Sequence, residues 1–147
     1  MSYREEGQNI FVNKKTLTYN QNKINSIEIT EHPLFTNGVL YLDISFDLQF
    51  LNQQELPLAS LLSNLYLEMG TNKEDYSSLS KRIAMKTGGI NGSPFISPLS
   101  ESDQSVKRFF LRGKCMNHQS NELLNIFTDI FLEANFENKE RFKQILL

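Results

Sequence analysis

The longest regular pattern in the chain runs through "GVLYLDISFDLQFL", where Leu40, Leu42, Ile44, Phe46, Leu48 and Phe50 alternate with Tyr41, Asp43, Ser45, Asp47 and Gln49. A period of two belongs to a strand with one buried face, so this segment is expected to be a long antiparallel-type strand. A second such run occupies "SVKRFFLRGKCMN", with Phe109, Leu111 and Cys115 on one side and Arg108, Phe110, Arg112 and Lys114 on the other. Between the two the period lengthens. Leu58, Leu61, Leu62, Leu65, Tyr66 and Met69 recur every three or four residues, and Gly70 follows where a left-handed C-cap is wanted, which predicts a buried helix. In "TNKEDYSSLSKRIAMKTGG", Thr71 and Glu74 are placed for a capping box, Tyr76, Leu79 and Ile83 share a face, and Gly88-Gly89 ends a second helix.

The remaining segments are shorter. "INGSPFISP" reads as a short strand, and Pro94 assigns it to a sheet edge because a missing N–H would break an interior ladder. "LSESDQS" is a polar loop. After residues 117–120, Leu123, Leu124, Phe127, Ile130 and Phe131 predict a third helix; "NFENKERFKQILL" opens a fourth with no C-cap signal, so the domain is expected to continue past Leu147. Upstream, "NSIEITEHPLFTNG" holds a short strand around residues 27–29, punctuated by Pro33 and the tight-turn pair Asn37-Gly38. Residues 1–24 are mostly polar, anchored only by Ile10, Phe11, Val12 and Leu17, and are expected to be an arm or linker ahead of a domain over residues 25–147. Strand, strand, helix, helix, strand, strand, helix, helix is an α+β order: an antiparallel-rich sheet with helices packed on one face.

Composition narrows the function classes. A chain of 147 residues fits a single core, and 39% hydrophobic content with 11 Phe gives it the means to bury one. Fifteen basic against seventeen acidic residues leave a net charge of −2, so no global field draws the chain to nucleic acid or to an anionic membrane. No apolar run approaches the roughly 20 residues that span a bilayer, and "MSYREEGQNI" has no signal-peptide pattern. Cys115 is the single cysteine, which excludes an internal disulfide.

Candidate chemistry is sparse. His32 and His118 have no second ligand at metal spacing, and Cys115 has no adjacent base, so a small enzyme built on either is disfavoured. Asp43, Ser45 and Asp47 share one face of the first long strand, as Arg108, Arg112 and Lys114 share one face of the second. If the strands are neighbours, these groups either pair across them or line a polar cavity for peptides. The glycines of "KTGGI" and "TNG" lack the order of a phosphate loop and read as caps and turns, and Glu68 reads as an exposed helix-end residue.

Taken together, "TNGVLYLDISFDL", "LEMGT", "DYSSLSKRIAMKTGGI", "FFLRGKCM" and "ERFKQ" resemble the third, non-catalytic domain of the presequence-protease branch of the pitrilysin or insulinase-like zinc metallopeptidase family, from about Thr36 onward. The resemblance implies the LuxS-like α+β domain of that family, truncated here. It also implies a parent enzyme of two halves closing around a chamber, with Zn²⁺ bound by a His-x-x-Glu-His helix in another domain. Aligned on Gly70-Thr71, the ligand positions in this chain are Leu61, Asn64 and Leu65, so no cofactor is expected in this segment. The implied role is to form chamber wall and position the catalytic half of the same polypeptide, whose substrates are unstructured peptides. The alternative is a free-standing inactive copy that binds peptides or proteins. As a fragment the chain is expected to self-associate. Its compartment follows the source: cytoplasmic if bacterial, organellar matrix if eukaryotic.

Overall fold

The computed structural model describes residues 18–99 and 103–146, and the chain divides into two compact units, Met1–Phe35 and Thr36–Leu147. In the first unit, β1 (Asn20–Ile24) pairs antiparallel with β2 (Ile27–Glu31). The turn residues Asn25 and Ser26 have φ of 48° and 71°, the left-handed pair that a two-residue hairpin loop requires. The register puts Ile24, Ile27 and Ile29 on one face and sets Lys23 opposite Glu28 on the other. Strand β2 covers the expected strand at residues 27–29. Strand β1, with the sequence NQNKI, lies inside the polar stretch and has no alternation to announce it.

The second unit follows the expected order: β3 (Val39–Asp47), α1 (Leu56–Glu68), α2 (Tyr76–Lys86), β4 (Ile90–Pro98), β5 (Ser105–Met116), a 3₁₀ turn at Asn117–Gln119, α3 (Ser120–Glu133) and α4 (Lys139–Leu146). The sheet order is β3-β5-β4, antiparallel throughout, and Pro94 sits on an edge strand as its missing donor demands. Strand β3 is shorter than its alternation suggests. After Asp47 the carboxylate accepts the Gln49 N–H at 2.9 Å and the chain turns, so Leu48 is buried while Phe50 is 78% exposed.

One face of β5, with Phe109, Leu111 and Cys115, meets Leu79 of α2 and Leu123, Ile126, Phe127 and Ile130 of α3 in the core. Helix α3 approaches closely because Gly113 leaves room: a Cβ there would lie 2.7 Å from Leu123 Cδ1 and 2.9 Å from Phe127 Cζ. Leu124, expected in this stripe, points out, and Ile126 takes the place because it lies three residues from Leu123 on the same helix face.

Helix α1 departs further from its pattern. Its buried residues are Ala59, Ser63 and Leu65, whereas Leu58 and Leu62 are exposed. The cause is the approach of α1 to β4 at Gly92, where an added Cβ would lie 3.0 Å from Ser63 Cβ; only small side chains fit that crossing. Gly70 ends α1 as expected, with φ of +85°, and a Cβ on it would meet the Tyr76 nitrogen at 2.7 Å, so the position requires glycine twice over. The capping box is not formed. Thr71 Oγ1 instead accepts the N–H groups of Lys73 and Glu74 in a turn, and Asp75 caps α2 by accepting the Ser78 N–H at 2.7 Å. Glu74 falls outside the helix, which starts at Tyr76, and its carboxylate is engaged elsewhere. No helix among the described residues is long and apolar enough to cross a membrane.

Candidate functional site

Helix α1 stands between the long strand β3 and the Gly70-Thr71 stop, so the three motif positions are ordered side chains on a regular helix. Leu65 is buried, Leu61 half-buried and Asn64 exposed. None offers an imidazole, carboxylate or thiolate, so these residues do not fit a zinc ion. Among the described residues, no group of three or more His, Cys, Asp and Glu side chains could hold a metal ion. Glu68, at the helix end, is engaged by α4: Arg141 Nε donates to its carbonyl oxygen at 2.9 Å and Arg141 Nη2 to its Oε2 at 3.2 Å. The same guanidinium lies 4.0 Å from the Tyr76 ring centroid, a cation–π contact that joins the end of α1 to the start of α2.

The polar side chains of the sheet meet on the face opposite the helices. Register places Asp43 opposite Arg112, Asp47 opposite Arg108 and Tyr41 opposite Lys114. Arg112 Nε donates to Asp43 Oδ2 at 3.2 Å and its Nη1 to Ser93 Oγ at 2.9 Å, while the guanidinium stacks 4.4 Å from the Phe110 ring centroid. Arg112 thus ties all three strands together. Arg108 donates to Ser45 Oγ at 3.3 Å, leaving Asp47 to its own turn. Cross-strand pairing therefore accounts for Asp43 and Arg112, and not for Asp47, Arg108 and Lys114.

A second polar cluster escaped the sequence pattern. Asp129, nearly buried on α3, accepts Lys73 Nζ at 2.7 Å and Arg82 Nη2 at 2.7 Å, and Arg82 Nη2 also pairs with Glu74. The Lys73 hydrogen bond, joined by that of Arg82 and opposed by burial, holds the Asp129 carboxyl below the usual carboxylate range. Burial works against the Arg82 charge, but the carboxylates of Asp129 and Glu74 outweigh it and leave the group above its ordinary value. Backbone bonds reinforce the cluster: the Asn72 N–H reaches Glu133 O at 2.7 Å and the Asn135 N–H reaches Gly70 O at 3.1 Å. The α1–α2 loop is thereby clamped to the end of α3. Its members lie 47 and 56 positions from Asp129, a separation at which no local pattern exists to find them.

Cys115 is 3% exposed and burial pushes its thiol above the ordinary value, the reverse of what a thiolate nucleophile needs. His118 is exposed in the 3₁₀ turn, and His32 packs beside Tyr19 with ring centroids 6.2 Å apart.

The family model described as "Peptidase M-16C associated" matches residues 8–147. The chain belongs to this peptidase-associated family. Membership thus extends upstream of Thr36, where the resemblance in sequence begins. Presequence protease 1, chloroplastic/mitochondrial, of Arabidopsis thaliana is 34% identical over 123 residues, 84% of this chain and 11% of the relative. The mitochondrial presequence protease of Danio rerio is 25% identical over 122 residues, 82% of this chain and 12% of the relative. Protein HypA of Clostridium perfringens is 24% identical over 127 residues, 86% of this chain and 13% of the relative. This peptidase-associated chain therefore spans between 11% and 13% of the length of these three relatives.

Proposed function

We propose that the chain is a non-catalytic structural domain of a zinc-dependent metalloendopeptidase that degrades unstructured peptides. It forms chamber wall and positions the catalytic half of the same polypeptide, which carries the Zn²⁺. The observation that carries this reading is the family match over residues 8–147, on a chain whose motif positions are held by Leu61, Asn64 and Leu65. The test is cleavage of a long unstructured fluorogenic peptide by the purified chain, with added Zn²⁺ and with a chelator as control. The expected result is no turnover; chelator-sensitive turnover would overturn the reading. Mixing the chain with a separately expressed catalytic half then asks whether activity depends on this domain.

A free-standing inactive copy that binds peptides or proteins is the second reading. It is favoured by the uncovered sheet face, where Tyr41 is 63% and Phe95 45% exposed. Determining the length of the natural polypeptide separates the two.

A further inference from the structure

An open groove of about 340 Å³ lies where the Val39 end of β3 and the Met116 end of β5 meet the C-terminal end of α2. This volume lies within the range of small-ligand clefts. Its apolar wall comes from Val39, Tyr41, Met85 and Met116, of which the last three stay 63%, 71% and 49% exposed. Methionine side chains are adaptable surfaces for varied apolar partners. Lys86 and Lys114 also line the groove, and neither ammonium has an ion pair or hydrogen bond among the described residues.

Lys114 is held in place by its stem. Gly88 N–H donates to Lys114 O at 2.7 Å and Lys114 N–H to Gly89 O at 3.3 Å, which stitches β5 to the end of α2. The aliphatic chain lies along Gly88, where a Cβ would fall 2.9 Å from Lys114 Cγ and 3.1 Å from Cε. The ammonium is thus offered to solvent on an ordered stem, with less side-chain entropy left to lose on pairing.

We propose that this groove docks an extended peptide segment in which an Asp or Glu is flanked by apolar residues, its carboxylate held by Lys86 and Lys114 and its apolar side chains by Tyr41, Met85 and Met116. The charge complement is an anion, and the apolar wall excludes a bare one. The backbone selects the source of that anion. A terminal carboxylate is captured by free N–H groups, but those of Gly88 and Gly89 are engaged by Lys114 O and Thr87 Oγ1. Side-chain carboxylates need only the two ammonium groups. This inference holds whether or not the chain is a scaffold domain, so its failure leaves that reading untouched.

The test is fluorescence anisotropy of the full chain with a labelled, C-terminally amidated peptide of alternating Leu and Glu, beside the same peptide with Gln for Glu. The Glu peptide is expected to bind about fivefold tighter or more, and Lys86→Gln and Lys114→Gln each to weaken it by about two- to fivefold without changing the melting temperature. Gly88→Ala keeps both charges but displaces the Lys114 stem, and is expected to weaken binding in the same direction. No detectable binding, equal affinity for the Glu and Gln peptides, or unchanged affinity in both lysine variants would overturn the proposal. So would a Gln peptide with a free C-terminus that binds as tightly as the Glu peptide. Self-association lost in the lysine variants would put a second copy in the groove instead, and tighter binding of a single-stranded oligonucleotide would make the ligand a polyanion.

Discussion

Replacing Asp129 by Asn keeps the shape of the side chain and removes the charge that Lys73 and Arg82 share. The carboxamide can still accept one hydrogen bond, but its NH₂ group faces donors. The Arg82 arm is charge-assisted and mostly out of solvent, with side-chain exposures of 24% and 12% for the two partners, and such a bond is worth about 1.5–3 kcal/mol. Arg82 Nε already lacks a partner, so the guanidinium has no second carboxylate but Glu74 to fall back on. The Lys73 arm contributes most to the depressed Asp129 pKa, yet Lys73 is 59% exposed and its ammonium is solvated in either state, so the arm adds little to stability. The expected loss on Asp129→Asn is about 2–3 kcal/mol at pH 7, or roughly 8–15 °C in melting temperature.

The pH dependence gives this prediction a second arm. A carboxyl whose folded pKa is depressed stabilises the fold above its unfolded value, near 3.9, and loses that contribution as pH falls through the lower folded value. Urea titrations from pH 7 downward should therefore show wild type and Asp129→Asn converging in acid. Asp75, depressed chiefly by the Ser78 N–H, titrates in the same window in both proteins, so the difference between them isolates Asp129. A gap below about 0.5 kcal/mol at pH 7, or one that persists unchanged in acid, would refute the assignment of the cluster as a clamp.

Gly70→Ala forces a left-handed residue and a backbone contact at 2.7 Å, and should lower stability in urea by about 2–4 kcal/mol; a change within error would show that the turn repacks freely. Arg141→Ala removes both bonds to Glu68 and the ring contact with Tyr76, so amide exchange should accelerate in α4 while β5 and α3 keep their protection, and Arg141→Lys should restore the protection only in part. Buried Cys115 should react with a thiol reagent at pH 8 only as fast as the chain opens; immediate stoichiometric labelling of the native protein would contradict its burial.

The second unit was legible in sequence wherever one residue type answered one physical demand. The alternation of β3 and β5 survives because a strand has only two faces, and Pro94 marked an edge because it has no donor to give. Legibility failed where two elements share a decision. Leu58 and Leu62 look like core, but Gly92 lets α1 approach β4 so closely that Ala59 and Ser63 must face inward instead. Thr71 and Glu74 have capping-box spacing, yet Arg82 claims the Glu74 carboxylate and Asp75 caps the helix. Strand β1 is made by its turn and its partner rather than by its own residues. Of the candidate site, the Asp43–Arg112 pairing was readable from strand neighbourhood, and the Asp129 cluster was not, because only folding brings its members together.

These failures of local pattern share a direction. Departures from sequence rules concentrate at functional or strained positions in enzymes, whereas here each one ends in a satisfied contact: a close helix crossing, a capped helix, a clamped loop. The ionisable groups follow the same logic. Arg82, Arg112, Arg141, Asp129 and Glu68 each bind a partner inside the fold, and a group so engaged cannot answer an external ligand without giving that partner up. Lys86 and Lys114 are outside that accounting, with ammonium groups that hold nothing together. A fold that fixes its other charges for rigidity and leaves these two beside an exposed apolar wall concentrates its capacity for recognition at the α2–β5 end. That is why removing the two lysine charges should change binding and leave stability as it was.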